Sequence, residues 1–413
     1  MNGLLFAVAS LAAASVLIFW ARQTAAHDAR LRRIPIRVHV NGVRGKSTVV
    51  RYIAAALREH GIETLAKTTG NETRIIHADA RETPVARRGA PTIIEQIDVL
   101  RAAVRPTTQA IVFECMALRP EYQRVSERRM IRSTDGVIAN VRLDHVEELG
   151  ETRADVARSL SATAPAQAPL FTAETHAESR AVLDVAARSR GGRLVTVSGA
   201  DLTRRERAGL GPLTFPENVA LAVAIAGRHG VPRAVALDGI RKARSDPGAA
   251  RIHRHRVDGR TLYWINLFGV NDVPSAEMNV RLVSEWLGSA GRIVFLFNNR
   301  ADRQNRAVQF ADMVAHGRAA SKVLLIGETL SVVARRIAAQ APTLDVARLD
   351  GRSELSAASL ARRAAGDGDA KNGTIVLVGL ANIHTRDAER VIAALETPAT
   401  EWTPAAATPR EAA

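Results

Sequence analysis

The amino-acid sequence predicts an α/β protein: a parallel-sheet unit carrying a glycine-rich loop, a second α/β unit after it, and an apolar helix in front. Three observations carry that expectation. Short apolar runs alternate with amphipathic stretches of helical length along most of the chain; the run VHVNGVRGKSTVVRYIAA (38–55) passes from a strand through paired glycines into a helix; and the first 21 residues carry no charge. Strands joined by helices need crossover connections, which makes them parallel neighbours with helices on both faces of the sheet.

The N-terminal stretch MNGLLFAVASLAAASVLIFWA is followed closely by Arg22, Arg30, Arg32 and Arg33. As a helix it would be about 30 Å long, enough to cross a bilayer, with Phe19 and Trp20 at an interface. A cleaved signal peptide would carry its positive charge before the apolar segment, whereas here the charge comes after it. The expectation is therefore a single-pass transmembrane anchor at 1–21, a basic linker at 22–34, and a catalytic body on the cytoplasmic side of the inner (plasma) membrane.

The chain of 413 residues exceeds what one hydrophobic core normally serves, so two globular units are expected. With 46% hydrophobic and 24% charged residues the composition is globular, and only the Ala/Pro/Thr-rich segment 397–413 reads as disordered. The net charge of +15 is almost wholly arginine, because Lys46, Lys67, Lys242, Lys322 and Lys371 are the only lysines. Arginine-rich genome composition explains such a bias as well as a basic surface facing anionic lipid, an acidic substrate or nucleic acid. No aromatic-interleaved basic run or groove-reading motif is present, so nucleic acid is not expected. The single cysteine, Cys115, lies in the apolar run AIVFECMAL, which excludes a disulfide within the chain and suits a buried thiol.

After the linker, strands are expected at 36–40, 111–116, 136–141 and 169–173. Helical patterns occupy 93–104, 177–189 and 215–230, the last with Pro216 in its first turn and Gly230 at its end. The segment SDPGAARIH (245–253) breaks the pattern. The runs TLYWINLF, GRIVFLF, KVLLIG, TLDVARL and GTIVLVG then alternate with helices to about Leu395. The first unit is thus expected at 35–245 and the second at 246–396.

Between strand and helix, Gly42-Val43-Arg44-Gly45-Lys46-Ser47-Thr48 can aim backbone N–H groups at a phosphate over a helix N-terminus. Gly42 and Gly45 permit close approach, Lys46 supplies charge, and Ser47 or Thr48 offers a hydroxyl to Mg²⁺. An ordinary tight turn would give no reason for an exposed lysine there. Position 40, where the common phosphate-loop pattern has glycine, is Val40. Glu114 interrupts an apolar strand, where an unpaired carboxylate is costly to bury, so a cation or an arginine partner is implied. Asp144 and His145 follow the strand 136–141, at the edge where open α/β sheets hold ligands. The loop KTTGNETR (67–74) adds Thr68 and Thr69.

These segments, with ECMALRPEYQ, GVIANVRLDH, FPENVALA, DPGAARI, NDVPS, NNRADR and VGLANIHT, resemble the Mur ligase family of ATP-dependent amide ligases, which includes folylpolyglutamate synthetase. Within it they are most similar to the ligase subunits of poly-γ-glutamate synthases, from the apolar N-terminus to about residue 395. The resemblance implies a Mur-ligase-like P-loop ATPase domain followed by a Rossmann-like one. It implies a γ-carboxylate of glutamate, or of the poly-γ-glutamate chain end, activated by ATP as an acyl phosphate and then attacked by an amine. Lys46, Glu114 and His145 would be catalytic, and Ser47, Thr69, Glu114 and His145 would hold Mg²⁺. ATP would meet Asn41, Gly42, Val43, Arg44, Gly45, Lys46, Ser47, Thr48 and Asn218, with Arg251, Asn271, Asp272, Arg300 and Asp302 from the second unit. The partners implied are small integral-membrane subunits of a polymer synthase complex, with a homo-oligomer expected.

Peptidoglycan-building members use a carbamylated lysine for a second metal, and this chain has no lysine between Lys67 and Lys242. FGVNDVPS also stands where folate ligases have Asp-Gly-Ala-His-Asn. Another acidic amino acid or a folate-like acceptor remains open as the substrate. A nucleotide switch or motor is the competing class; it would hydrolyse ATP without any amino acid.

Overall fold

The computed structural model describes residues 2–70, 73–87, 89–208, 210–211, 213–244, 250–270, 272–349, 351, 353–365 and 373–402, with the side chains of 2–5, 7–9 and 208 excepted. The chain divides into two compact units, one of 1–207 with 215–248 and the other of 208–214 with 249–413. Residues 245–249 of the expected seam lie outside the described residues.

The first element is α1 (Asn2–Arg33), one uninterrupted helix. The stretch expected as a basic linker at 22–34 is thus helical, and its last turns are docked rather than free. His27 Nε2 meets the Met130 carbonyl at 2.9 Å, Asp28 pairs with Arg132 at 2.8 Å, and Leu31 and Ile34 are buried in a cluster with Leu65, Leu100, Ile111 and Phe113. The sequence reading missed this because the arginines dominate the composition while only every third or fourth residue faces inward. Among the described residues no helix is long and apolar enough to cross a membrane. The expected span at 1–21 falls partly on side chains outside that description.

Eight strands form the first sheet: β1 (Ile36–Asn41), β2 (Thr64–Lys67), β3 (Arg74–Ile76), β4 (Glu82–Pro84), β5 (Ala110–Glu114), β6 (Asp135–Ile138), β7 (Leu170–Thr172) and β8 (Leu194–Thr196), in the order β4-β3-β2-β5-β1-β6-β7-β8. β2 through β8 in that order pair parallel, while β3 and β4 add an antiparallel edge. β1 lies between β5 and β6, with Val40 opposite Glu114 and Asn41 opposite Ile138. Every residue of β5 is buried, its apolar residues 110–113 as a central parallel strand requires and Glu114 with them. The loop after β1 therefore leaves the carboxyl edge of the sheet at its middle, between two strand ends that can supply side chains.

The second unit holds β9 (Ile252–Val257), β10 (Arg260–Asn266), β11 (Gly291–Asn299), β12 (Lys322–Gly327), β13 (Asp345–Arg348) and β14 (Thr374–Leu380), in the order β13-β12-β11-β14-β10-β9. All pairs are parallel except β9 with β10. Alternation along β10 sends Tyr263 and Ile265 to one core and Leu262 and Trp264 to the other, so helices cover both faces. The segment expected to be disordered from 397 is folded as far as Trp402. Glu401 bridges His253 of β9, and Trp402 is buried against Tyr263 and Trp286 at ring separations of 5.7 and 5.6 Å. One tryptophan outweighs the polar residues around it because a buried aromatic removes so much area from water. Residues 403–413 lie outside the description.

Candidate functional site

The loop Gly42–Gly45 links β1 to α2 (Lys46–Glu59). Gly42 has φ 134° and Gly45 φ 76°, a conformation that side-chain-bearing residues avoid. A methyl on Gly45 would also lie 3.0 Å from Asn218 Nδ2, so Asn218, at the start of helix Pro216–Arg228, packs against the loop. Asn41 is buried and its side chain is committed to bracing. Its Oδ1 accepts from Gly42 N at 2.9 Å and its Nδ2 donates to Gln123 Oε1 at 2.8 Å.

From the other side Asn140 grips Arg44, accepting from its N at 3.1 Å and donating to its carbonyl at 2.9 Å. Lys46 folds over the loop, donating to the Gly42 and Val43 carbonyls at 2.9 and 3.3 Å. Val43 to Thr48 are all half-buried. The result is a braced, cationic loop at a helix N-terminus, the arrangement that binds phosphate groups.

Glu114, the last residue of β5, is 3% exposed. Its Oε2 accepts from Ser47 Oγ at 2.8 Å and from Thr69 N at 2.7 Å, while Gln96 Nε2 donates to its carbonyl at 3.0 Å. Three expected metal-site residues, Ser47, Thr69 and Glu114, therefore meet at one point, supplied by α2, the loop after β2 and the end of β5. Thr69 contributes its amide to hold the carboxylate. Beside it, Thr68 Oγ1 is buried with no hydrogen-bond partner. A hydroxyl and a carboxylate are the oxygen donors that suit Mg²⁺, whose remaining positions go to water and phosphate oxygens. Among the described residues no three His, Cys, Asp or Glu side chains form a metal cluster.

His145 stands apart from that point. It has φ 46° at the start of the short helix Val146–Leu149, is 54% exposed, and lies 4.0 Å from Asp144. Asp144 in turn pairs with Arg44 at 3.1 Å, which ties the His145 loop to the phosphate loop. In the second unit, Arg300 and Asp302 pair with each other at 2.7 Å, Arg251 pairs with Glu401 at 3.3 Å, and Asp272 caps helix Val273–Leu287 by accepting from Ser275 N at 2.8 Å. Asn271 lies outside the described residues.

Sequence reasoning missed the supports: Gln96, Gln123, Asn140 and a buried pair of Lys67 with Glu95 at 2.7 Å. Burial pulls the Lys67 ammonium below the usual lysine range, against the opposing effect of Glu95. Asn140 could have been found from its place just past β6; the others show no periodic signal.

A glycine-lysine-serine loop at the middle of a parallel sheet, followed by a second α/β unit, defines a P-loop ligase fold of the folylpolyglutamate synthase and Mur type. The bifunctional folylpolyglutamate synthase/dihydrofolate synthase of Yersinia pestis, solved with AMPPNP and Mn ion, superposes with a TM-score of 0.55 at 16% identity, over 90% of this chain and 92% of that one. More particularly, a model of the poly-gamma-glutamate synthase CapB C-terminal domain matches residues 252–398. The capsule biosynthesis protein CapB of Bacillus anthracis is 34% identical over 321 residues, 77% of this chain and 68% of that protein. PGA synthase CapB of Bacillus subtilis is 32% identical over 327 residues, 79% and 83% respectively. This chain belongs to the CapB family of poly-γ-glutamate synthases.

Proposed function

We propose that this protein is an ATP-dependent acid–amino-acid ligase that polymerises glutamate into poly-γ-glutamate, releasing ADP and phosphate. The observation that carries this reading is the meeting of Ser47, Thr69 and Glu114 beside Lys46, in a chain whose relatives over most of its length are named as capsule biosynthesis and PGA synthase proteins. A γ-carboxylate oxygen attacks the terminal phosphorus of ATP and ADP leaves. The amine nitrogen of the next glutamate then attacks the acyl carbon, and phosphate leaves with the bonding pair.

The difficulty is electrostatic, because a carboxylate must approach a triphosphate. Lys46 answers it by exchanging the two loop carbonyls it now touches for phosphate oxygens, a stronger charge-assisted contact. A divalent cation, when bound, neutralises charge between the two anions. Ser47 and Glu114 would hold it, with the Thr69 amide fixing the carboxylate. His145 joins this reading as a further ligand from the loop that Arg44 and Asp144 tether, and Asn218 as a wall of the nucleotide site. Arg251, Asn271, Asp272, Arg300 and Asp302 are proposed to meet the nucleotide from the second unit. The proposal extends to an inner-membrane enzyme held by residues 1–21 with its body in the cytoplasm, working as a homo-oligomer with small integral-membrane subunits.

The test is the purified protein with its membrane partners, ATP, Mg²⁺ and glutamate, followed for polymer and for ADP. Lys46→Ala should lose both products. Lys322→Ala, whose ammonium pairs with Asp345 in the second unit, should keep both. Full turnover by Lys46→Ala would refute the mechanism.

A further inference from the structure

A cavity of roughly 620 Å³ opens at the end of the first sheet opposite the phosphate loop, among residues that precede the strands. Arg37 is the second residue of β1, Thr134 precedes β6, Gln167 precedes β7 and Arg190 precedes β8. Six arginines line it: Arg37, Arg128, Arg129, Arg132, Arg190 and Arg228. Three are spoken for. Arg37 donates to the Leu31, Ile34 and Arg132 carbonyls, Arg132 pairs with Asp28, and Arg228 pairs with Asp135.

The one acidic residue in the lining is Glu127, and both its oxygens are already used. Oε2 meets His39 Nδ1 at 2.8 Å, and Oε1 accepts from Ser133 N and Oγ at 2.9 Å. Arg128 and Arg129 are exposed and make no ion pair among the described residues, and Arg190 Nε is buried with no hydrogen-bond partner. Burial first, and then the charges of Arg190 and Arg124, hold the Arg128 guanidinium below its ordinary value, so these cations crowd one another. Such uncompensated like charge is a cost that a bound anion removes.

Two of the lining arginines touch the docked end of α1, Arg132 pairing with Asp28 and Arg37 donating to the Leu31 carbonyl. Going toward the N-terminus from there, α1 carries Arg22 and then Phe19 and Trp20, both more than half exposed. Asp28 follows Trp20 by eight positions, about 12 Å along a helix axis. The polar zone of a bilayer leaflet is some 5–8 Å deep on each side of its hydrocarbon, so a pocket about 12 Å from an aromatic pair at the apolar boundary opens just beyond that zone, within reach of long arginine side chains.

We infer that this arginine pocket is a binding site for the phosphate headgroup of an anionic phospholipid, which seats the amino-side edge of the first sheet on the membrane surface. Phosphate oxygens accept from several guanidinium forks at once, and the unpaired Arg128, Arg129 and Arg190 offer them. The pocket lies at the far end of β1 from the loop where the polymer end would be activated, which argues against the product as its occupant.

The experiment is co-flotation of the full chain with vesicles of phosphatidylcholine alone and of phosphatidylcholine with phosphatidylglycerol. Phosphatidylglycerol should raise binding, and Arg128→Glu/Arg129→Glu should weaken only that increment, by about ten-fold or more for two basic residues at an anionic surface. Arg190→Gln, which reverses no charge, should weaken it too, and circular dichroism should show both variants folded. Variants that bind anionic vesicles as the wild type does would overturn the assignment, and so would equal losses on neutral and anionic vesicles. Arginine-dependent capture of soluble poly-γ-glutamate, with no response to phosphatidylglycerol, would give the pocket to a polycarboxylate instead.

Discussion

Ser47 Oγ donates a 2.8 Å hydrogen bond to Glu114 Oε2, joining the first turn of α2 to the end of the neighbouring strand. The same oxygen receives the Thr69 amide at 2.7 Å, so one carboxylate oxygen organises two loops while the other stays available. Glu114→Gln keeps the size but leaves a single acceptor oxygen and no charge. The expected outcome is loss of the Mg²⁺ dependence of nucleotide binding in calorimetry, with turnover falling by about 10²-fold or more, the scale seen when one electrostatic partner is removed. Magnesium-dependent binding equal to the wild type would remove Glu114 from the metal site.

Gly45 offers a second test, because its requirement has two separable parts. A side chain at φ 76° costs about 1–2 kcal/mol in backbone strain, and the added methyl would press on Asn218 at 3.0 Å. Gly45→Ala should therefore weaken ATP binding and lower the thermal midpoint of the first unit. Adding Asn218→Ala should relieve the crowding but not the strain, so the double variant should recover part of the lost stability. Full recovery would mean that the conformation of the loop, as distinct from its space, does not need glycine.

Much of this architecture was legible because parallel strands announce themselves as continuous apolar runs. Ile36–Asn41, Ala110–Glu114 and Thr374–Leu380 fall where those runs are, and the loop between β1 and α2 is read from its glycines. Three-residue strands such as β3 and β4 carry no periodicity to read. The docking of α1 depends on two apolar residues among five arginines and histidines, and the folding of Thr397–Trp402 on one tryptophan. At the site, Ser47 and Glu114 were legible by residue type. That Asn41 turns inward depends on neighbours as far as 122 residues away, such as Thr163, whose Oγ1 accepts from Asn41 Nδ2 at 3.2 Å, and sequence spacing does not encode that.

Lys67 and Glu95 predict an asymmetry in stability. The Lys67 ammonium is wholly buried and meets Glu95 at 2.7 Å, while Glu95 also takes Arg87 at 2.6 Å. Lys67→Met leaves Glu95 paired with Arg87 and removes a buried cation, so its cost should be the smaller, about 1 kcal/mol. Glu95→Gln strands a buried cation and should cost more, up to about 3–5 kcal/mol. Urea midpoints decide the order. The Glu95→Gln deficit should shrink as pH rises, because Lys67 can then fold neutral. Equal losses in the two variants would show that the pair is not carrying charge.

His39 sets a final expectation, about pH. Burial pushes its imidazole down, but the Cys115 sulfur beside it and the Glu127 carboxylate at 2.8 Å outweigh that and raise it to about 9. In the unfolded chain the same group titrates near its ordinary value of about 6.5. The folded state therefore binds the proton more tightly. Its stabilising contribution is complete below the unfolded value and is lost as pH rises through the folded one. Between those limits the first unit should lose about 3 kcal/mol of stability, the linkage for one proton across that window. Denaturation midpoints followed across the range should fall in the wild type and stay flatter in His39→Gln, which cannot take up the proton. Parallel slopes in the two proteins would place the titrating group elsewhere and leave the His39–Glu127 pair uncharged throughout.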